Sequence, residues 1–210
     1  MSHDGPMDRR RSVQVIAVTG GKGGVGKSTL SINLATGFAL GGRKTLLLDG
    51  DLGLANADVM LGVTPKYTLG DVISGDRSLE EVLTPVRPNL SIVAGASGIS
   101  ALAGLGEAEH IGIVRAFSSL VDDIDVLVVD TPAGISAGVL QLTQAAQHII
   151  VVVCDEPASV TDAYAVIKVL SAEHSIRHFK VVTNMTRSGG SGTQLFATLL
   201  KVTNRFLDVV

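Results

Sequence analysis

Short apolar runs alternate along the chain with longer segments whose apolar residues recur at helical spacing. The runs are rich in Val, Ile and Leu, and most are followed by a turn, which is typical of strands buried on both faces of a parallel sheet. The alternation predicts an α/β fold with a doubly wound, mainly parallel sheet and helices on both faces. The predicted strands are Val13–Thr19, Thr45–Asp49, Leu90–Ala94, Val126–Asp130, Ile149–Cys154 and Lys180–Asn184, and the predicted helices are Ser28–Leu40, His110–Val121, Gly138–Ala146, Val160–Glu173 and Thr193–Phe206.

A glycine-rich segment, Gly21–Thr29, follows the first strand and reads Gly-Lys-Gly-Gly-Val-Gly-Lys-Ser-Thr. Its spacing is that of a phosphate-binding loop, and it lies between a predicted strand and a predicted helix, as that motif requires. Glycines let backbone N–H groups surround phosphate oxygens at a helix N-terminus, Lys27 reaches the β- and γ-phosphates, and the Ser28 hydroxyl binds Mg²⁺. A glycine-rich turn that binds nothing is the alternative, but the flanking elements favour a nucleoside triphosphate. The predicted contacts are Gly21, Lys22, Gly23, Gly24, Val25, Gly26, Lys27, Ser28 and Thr29.

The apolar strand Val126–Asp130 ends in a carboxylate, which is the form of a Walker B element. We expect Asp130 to hold the hydration shell of Mg²⁺ opposite Ser28. The segment Thr131–Gly134 follows directly, and Gly134 can offer its backbone N–H to the γ-phosphate. A loop that contacts only this phosphate changes shape on hydrolysis, so the sequence predicts a switch here.

Another buried strand is followed by two carboxylates, Asp49 and Asp51. The two side chains share a face if strand geometry persists as far as Asp51. Asp51 lies further out and is the better candidate for orienting an attacking water beside Mg²⁺, and Asp49 is predicted to line the nucleotide site. A pair of solvated turn aspartates is the alternative.

Lys22 is an unusual second lysine at the start of the phosphate loop. Two cations that converge on one phosphate from one loop repel each other, so Lys22 is a candidate for reaching a nucleotide on a second subunit. Lys22, Lys27 and Asp51 are therefore the predicted catalytic residues. An exposed loop lysine without such a role is the alternative.

The composition narrows the class of protein. The chain has 210 residues, 46% of them hydrophobic, and its formal net charge of −3 gives no basic field for nucleic acid. One cysteine, Cys154, excludes an internal disulfide, and no apolar run has the length of a transmembrane helix, so a cytoplasmic protein is expected. Residues 1–12 are polar and predict a disordered basic tail, with weak contact to anionic lipid or nucleic acid as the alternative. Residues 13–210 are predicted to form one P-loop nucleotide-binding domain, in which Ser188–Gly192 is predicted as a mobile loop.

Together these residues resemble the MinD/ParA family of P-loop ATPases. Lys22–Ser28 is similar to the family's deviant Walker A motif, whose extra lysine works across the dimer interface. Asp51 matches the family's water-positioning aspartate, and Asp130–Gly134 matches its switch II. The resemblance implies that Glu156 contacts the ribose of the nucleotide on the partner subunit and that Asn184 hydrogen-bonds adenine. The sequence has no Asn-Lys-x-Asp guanine-reading motif, so ATP is expected over GTP.

Longer stretches are similar to the flagellar-number regulators of this family, FleN and FlhG. The resemblance implies that ATP and Mg²⁺ drive dimerisation, that slow hydrolysis releases monomers, and that the dimer state gates a DNA-binding flagellar transcriptional activator. A flagellar GTPase is a further partner that the subfamily allows, and location at the cell pole or transiently at the membrane is implied for a full-length member. The stretches are Asp51–Met60, Val151–Pro157, Thr161–Tyr164, Asn184–Met185 and Arg205–Val209.

Two departures from the family limit this interpretation. The family continues past Val210 with another strand, an adenine-packing loop and C-terminal helices, so we expect a shortened core that does not bind membranes. Direct binding to nucleic acid is not expected either, because the chain has no basic field. The N-terminus also lacks the Asp-Gln-Ala…Leu-Arg segment that some members use to stimulate a GTPase. A MinD- or ParA-like spatial organiser of division site or cargo is the alternative function. An iron–sulfur scaffold or nitrogenase-type reductase needs a Cys-x-x-Cys pair or cysteines that bridge a dimer, whereas Cys154 lies in a predicted strand and is expected to be a small core residue.

Overall fold

The computed structural model of the chain describes residues 13–51, 56–95, 123–207 and 209. The predicted tail of residues 1–12, the predicted helix His110–Val121 and part of the segment Asp51–Met60 lie outside these residues. In chain order the elements are β1 (Gln14–Thr19), α1 (Lys27–Leu40), β2 (Thr45–Asp49), α2 (Ala57–Leu61), α3 (Leu69–Ile73), a 3₁₀ turn (Glu80–Val82), β3 (Thr84–Arg87), β4 (Leu90–Val93), β5 (Val126–Asp130), α4 (Ala137–Gln144), β6 (His148–Cys154), α5 (Pro157–His174), β7 (Lys180–Asn184) and α6 (Gly189–Phe206).

These strands form one seven-stranded sheet in the order β3-β4-β2-β5-β1-β6-β7. All neighbours pair in parallel except β3, which runs antiparallel to β4. The central strands β2 and β5 are buried at every position, because both faces of the sheet are covered. The doubly wound, mainly parallel sheet that the sequence predicts is therefore confirmed.

Alternate residues of the central strands pack against helices on opposite faces. Ile16, Val18 and Val128 point to the face where α1 contributes Ala35 and Ala39. On the opposite face, Leu142 of α4 packs against β2 and β5, while α5 and α6 pack against β6. The carboxyl ends of β1, β2, β5, β6 and β7 thus meet at one edge, which is where ligands bind in such sheets.

The structure differs from the predicted elements mainly between residues 57 and 87. The short helices α2 and α3 and the edge strand β3 were missing from the prediction, because five- or four-residue elements carry too little periodicity to identify. Strand β3 also contains Pro85 and an irregular register, both of which are tolerated at a sheet edge.

The prediction of a mobile loop at Ser188–Gly192 is wrong. Helix α6 begins at Gly189, and the side-chain oxygens of Ser188 and Ser191 each accept a hydrogen bond from the other residue's backbone N–H in a capping box. Gly192 packs tightly against β7, since an added Cβ would lie 2.9 Å from the Thr183 hydroxyl oxygen. Gly192 therefore serves close packing at the first turn of the helix, whereas an added Cβ at Gly189 would meet nothing within 4 Å.

Candidate nucleotide-binding site

The glycine loop connects β1 at the centre of the sheet to the N-terminus of α1. Gly24 and Gly26 have φ angles of 78° and 95°, the left-handed region that favours glycine. Val25 between them is 1% exposed and anchors the loop in the core beneath α1. Gly24 and Gly26 thus supply the backbone angles that the turn requires, and Val25 fixes the loop to the core.

Two neighbours hold the loop at both ends. An added Cβ at Gly21 would lie 2.3 Å from the carbonyl oxygen of Asp162, which belongs to α5. At the other end, the Asn184 amide donates a 2.8 Å hydrogen bond to the Val25 carbonyl, and an added Cβ at Gly26 would lie 2.3 Å from the same amide nitrogen. The loop therefore has no room for side chains at these positions, whereas Gly23 faces open space.

Lys27 lies over the loop and is 8% exposed. Its Nζ donates to the carbonyl of Lys22 over 3.3 Å, so the ammonium is turned back across the loop. Burial lowers the pKa of Lys27, and the charges of Asp130 and Asp51 oppose that effect. An anion bound in the loop would compensate this buried cation, as the phosphate-loop interpretation requires.

Asp130 ends β5 beside the first turn of α1 and is 3% exposed. Burial raises the pKa of Asp130 to about 6, and the adjacent charge of Asp49 adds to this rise, while hydrogen bonds with Ser28 and Ser31 oppose it. Asp130 is thus a buried carboxylate whose charge is only weakly compensated, and a hydroxyl group lies beside it. Mg²⁺ prefers oxygen ligands of this kind. No group of three or more His, Cys, Asp or Glu residues that could hold a metal occurs in the described ranges, so phosphate and water oxygens would complete the coordination.

Asp49 and Asp51 have different surroundings. Strand β2 ends at Asp49, so strand geometry does not persist to Asp51 and the condition for a shared face is not met. The buried Asp49 carboxylate accepts backbone N–H groups from Asp51, Asn56 and Ala57 at 3.0, 3.1 and 3.0 Å. Asp49 therefore holds the backbone at Asp51 and at the start of α2. The charge of Asp51 raises the pKa of Lys27, although burial of Lys27 is the larger effect.

Lys22 and Glu156 form an ion pair at the mouth of the loop, although they are 134 residues apart. Their side chains are 37% and 56% exposed. The hydrogen bond with Glu156 raises the pKa of Lys22, and desolvation opposes it. Lys22 thus points away from the loop interior and toward α5 of its own chain.

Gly134 lies in the left-handed region with φ of 104°, and its N–H donates to the Gly20 carbonyl over 3.2 Å. A γ-phosphate that took this N–H would have to replace that bond. The loop after β5 is therefore joined by a backbone hydrogen bond to the residue that precedes the phosphate loop.

The structure brings the predicted residues of five strand ends to one edge of the sheet. Lys27, Asp130 and Asp51 interact on one side of the loop, Asn184 contacts its far side, and Glu156 meets Lys22 at its mouth. Sequence reasoning missed Ser31, whose hydroxyl group hydrogen-bonds the Asp130 carboxylate. The feature that could have revealed it is its position three residues after Ser28, on the same face of α1. It also missed the contact of α5 with Gly21, which no local pattern encodes.

No helix among the described residues is long and apolar enough to span a membrane.

Comparisons with known proteins agree with this geometry. A family model described as ParA, NUBPL iron-transfer P-loop NTPase, matches residues 11–194. The chain is 53% identical over 203 residues to the antiactivator FleN of Pseudomonas aeruginosa, covering 97% of this chain and 72% of FleN. It is 33% identical to the flagellum site-determining protein YlxH of Helicobacter pylori, covering 93% of this chain and 66% of YlxH.

Solved structures extend the similarity to the fold. The septum site-determining protein MinD of Pyrococcus horikoshii, complexed with Mg-ADP, has a TM-score of 0.73 at 26% identity, covering 94% of this chain and 79% of that chain. A MinC:MinD cell division protein complex of Aquifex aeolicus has a TM-score of 0.77 at 27% identity, with 94% and 79% covered. The chain therefore spans about two thirds to four fifths of the length of these relatives.

Proposed function

Because the chain belongs to the ParA/MinD family of P-loop NTPases, we propose that it is an Mg²⁺-dependent ATPase switch that regulates flagellar number. ATP dimerises it, slow hydrolysis returns it to monomers, and the dimer state sets how strongly it restrains a flagellar transcriptional activator. The observation that carries the proposal is that the loop holds two lysines in different settings: Lys27 is buried over the loop, whereas the Lys22 side chain points out of it and pairs with Glu156.

The nucleotide part of the proposal rests on the chemistry of the loop. Backbone N–H groups and the buried Lys27 would bind the phosphates, and Ser28 with Asp130 would hold Mg²⁺, which supplies charge neutralisation at the phosphates when bound. Asp51 lies at the end of the segment held by Asp49 and would orient the attacking water. Asn184 is already fixed against the loop by its amide and would contact adenine through its remaining amide atoms.

The dimerisation part rests on Lys22 and Glu156. Both side chains are exposed, and both lie at the mouth of the loop, where a second copy of the chain would face it. In the single chain they pair with each other, so a dimer in which both contact the opposite nucleotide must first open this ion pair. Exposed ion pairs contribute little stability, so the opening costs less than a bound triphosphate can supply.

The regulatory part rests on the 53% identity to an antiactivator over nearly the whole chain. The test replaces the intact gene in its host by a Lys27→Ala allele and counts flagella per cell by electron microscopy, with Lys201→Ala, an exposed lysine on α6, as the matched control. We expect extra flagella in the Lys27→Ala strain and normal numbers in the control, with equal protein levels by immunoblot. Normal flagella in both strains would contradict the regulatory role.

A spatial organiser of cell division is the second candidate, because the MinD proteins of the two solved structures share the fold of the chain at 26% and 27% identity. The same strains distinguish the two candidates. Minicells or misplaced septa with normal flagella would favour the division role.

A further inference from the structure

Ser31 lies one helical turn beyond Ser28 and is completely buried. Its Oγ is 3.1 Å from a carboxylate oxygen of Asp130 and 3.0 Å from the carbonyl of Lys27, four residues earlier in α1. The carbonyl contact is ordinary for a helical serine, whereas the contact with Asp130 joins α1 to the end of β5 across 99 residues of sequence. Ser31 therefore links the helix that carries the phosphate loop to the carboxylate expected at the metal.

Two hydroxyl groups hydrogen-bond the Asp130 carboxylate, and they differ in whether a bound ligand could reach them. Ser28 sits at the first turn of α1 facing the loop, and its oxygen is the predicted metal ligand. Ser31 is deeper on the same helix face, because residues three apart lie above one another. It is positioned to orient the carboxylate from the protein side without touching the metal.

We propose that Ser31 is a positioning residue for magnesium binding. Its hydroxyl group fixes the Asp130 carboxylate in the orientation that accepts hydrogen bonds from the water molecules around the metal. This inference rests on the proposed Mg²⁺-nucleotide site. Groups that hydrogen-bond metal-binding carboxylates typically change metal affinity by about 10- to 100-fold when removed. Ser31 is a neutral hydroxyl at 3.1 Å, so we expect the lower end of that range.

The test compares Ser31→Ala with Ser171→Ala, a buried serine on α5 whose hydroxyl accepts a hydrogen bond from Arg177 instead of contacting the site. Fluorescence of mant-ADP is followed in the wild type and both variants, first in EDTA and then over a series of buffered Mg²⁺ concentrations. Thermal unfolding shows that each variant is folded.

For Ser31→Ala we expect half-saturation to need about tenfold more Mg²⁺ than the wild type, with unchanged mant-ADP affinity in EDTA. Ser171→Ala should match the wild type in both measurements. An unchanged Mg²⁺ dependence in Ser31→Ala would overturn the positioning role while leaving the nucleotide site intact. An equal loss of affinity in EDTA would also overturn it, by showing a general defect of the loop. A wild type that binds no mant-ADP under either condition would refute the proposed function itself.

Discussion

Replacing Asp49 by Asn should destabilise the protein, although the change removes only one charge. The Asp49 side chain is 1% exposed, and its two oxygens accept N–H groups from Asp51, Asn56 and Ala57. An asparagine has one oxygen and one NH₂ group, so its oxygen can serve Asn56 and Ala57 while the NH₂ group faces the N–H of Asp51. At least one buried donor is then left without an acceptor.

The magnitude follows from opposing contributions. An unsatisfied buried N–H costs about 1–3 kcal/mol, and bonds to a neutral oxygen are weaker than those to a carboxylate. Two effects offset part of this: burial already raises the pKa of Asp49, and the repulsion between Asp49 and Asp130 is removed. We expect a net loss of about 2 kcal/mol, which for a chain of this size lowers Tm by about 4–8 °C.

The assay is thermal unfolding by circular dichroism without nucleotide, with the exposed Asp155→Asn as the matched control. Asp155→Asn should unfold within about 1 °C of the wild type, since surface substitutions are usually near neutral. If Asp49→Asn also unfolds within about 1 °C of the wild type, the three hydrogen bonds from the backbone of Asp51, Asn56 and Ala57 do not stabilise the fold, and the reasoning fails.

Two further outcomes follow from the site. Burial raises the pKa of Asp130 to about 6 from an ordinary 3.8, so the folded chain binds this proton more tightly and loses stability as pH rises through that interval. Relative to Asp130→Asn, the nucleotide-free wild type should lose about 2 kcal/mol between pH 4.5 and 7 in urea unfolding, and a pH-independent difference would contradict this expectation. Gly21→Ala places a Cβ 2.3 Å from the Asp162 carbonyl oxygen, so it should lower the free energy of unfolding by about 1–3 kcal/mol. Gly23→Ala faces open space and should lower Tm far less; equal Tm values for the two variants would show that the contact with α5 is easily relieved.

The central strands and the longer helices were predictable because each carries a local signal in its own sequence. The strands Thr45–Asp49, Val126–Asp130 and Lys180–Asn184 have the predicted bounds, since each is a short apolar or β-branched run ended by a polar residue. Helix α5 begins three residues before the predicted start, at Pro157, because proline suits the first turn of a helix although it carries no helical period.

The site was predictable as a set of residue types but not as a set of contacts. Motif spacing placed Lys27, Ser28 and Asp130 near one another, because parallel strands end at one edge. The separate task of Asp49, which is to hold backbone N–H groups, depends on how the chain turns after β2. The ion pair of Lys22 with Glu156 depends on the distance between two strand ends, which local sequence does not encode.

The most direct test of the account is the molar mass of the protein by light scattering with Mg²⁺ and either ADP or ATP. The wild type should have a mass near 21.7 kDa with ADP and about twice that with ATP. Lys22→Ala should stay monomeric with ATP while still binding a fluorescent ATP analogue, and Lys201→Ala should dimerise as the wild type does. Normal ATP-dependent dimerisation of Lys22→Ala would contradict the claim that the second lysine works across a dimer interface.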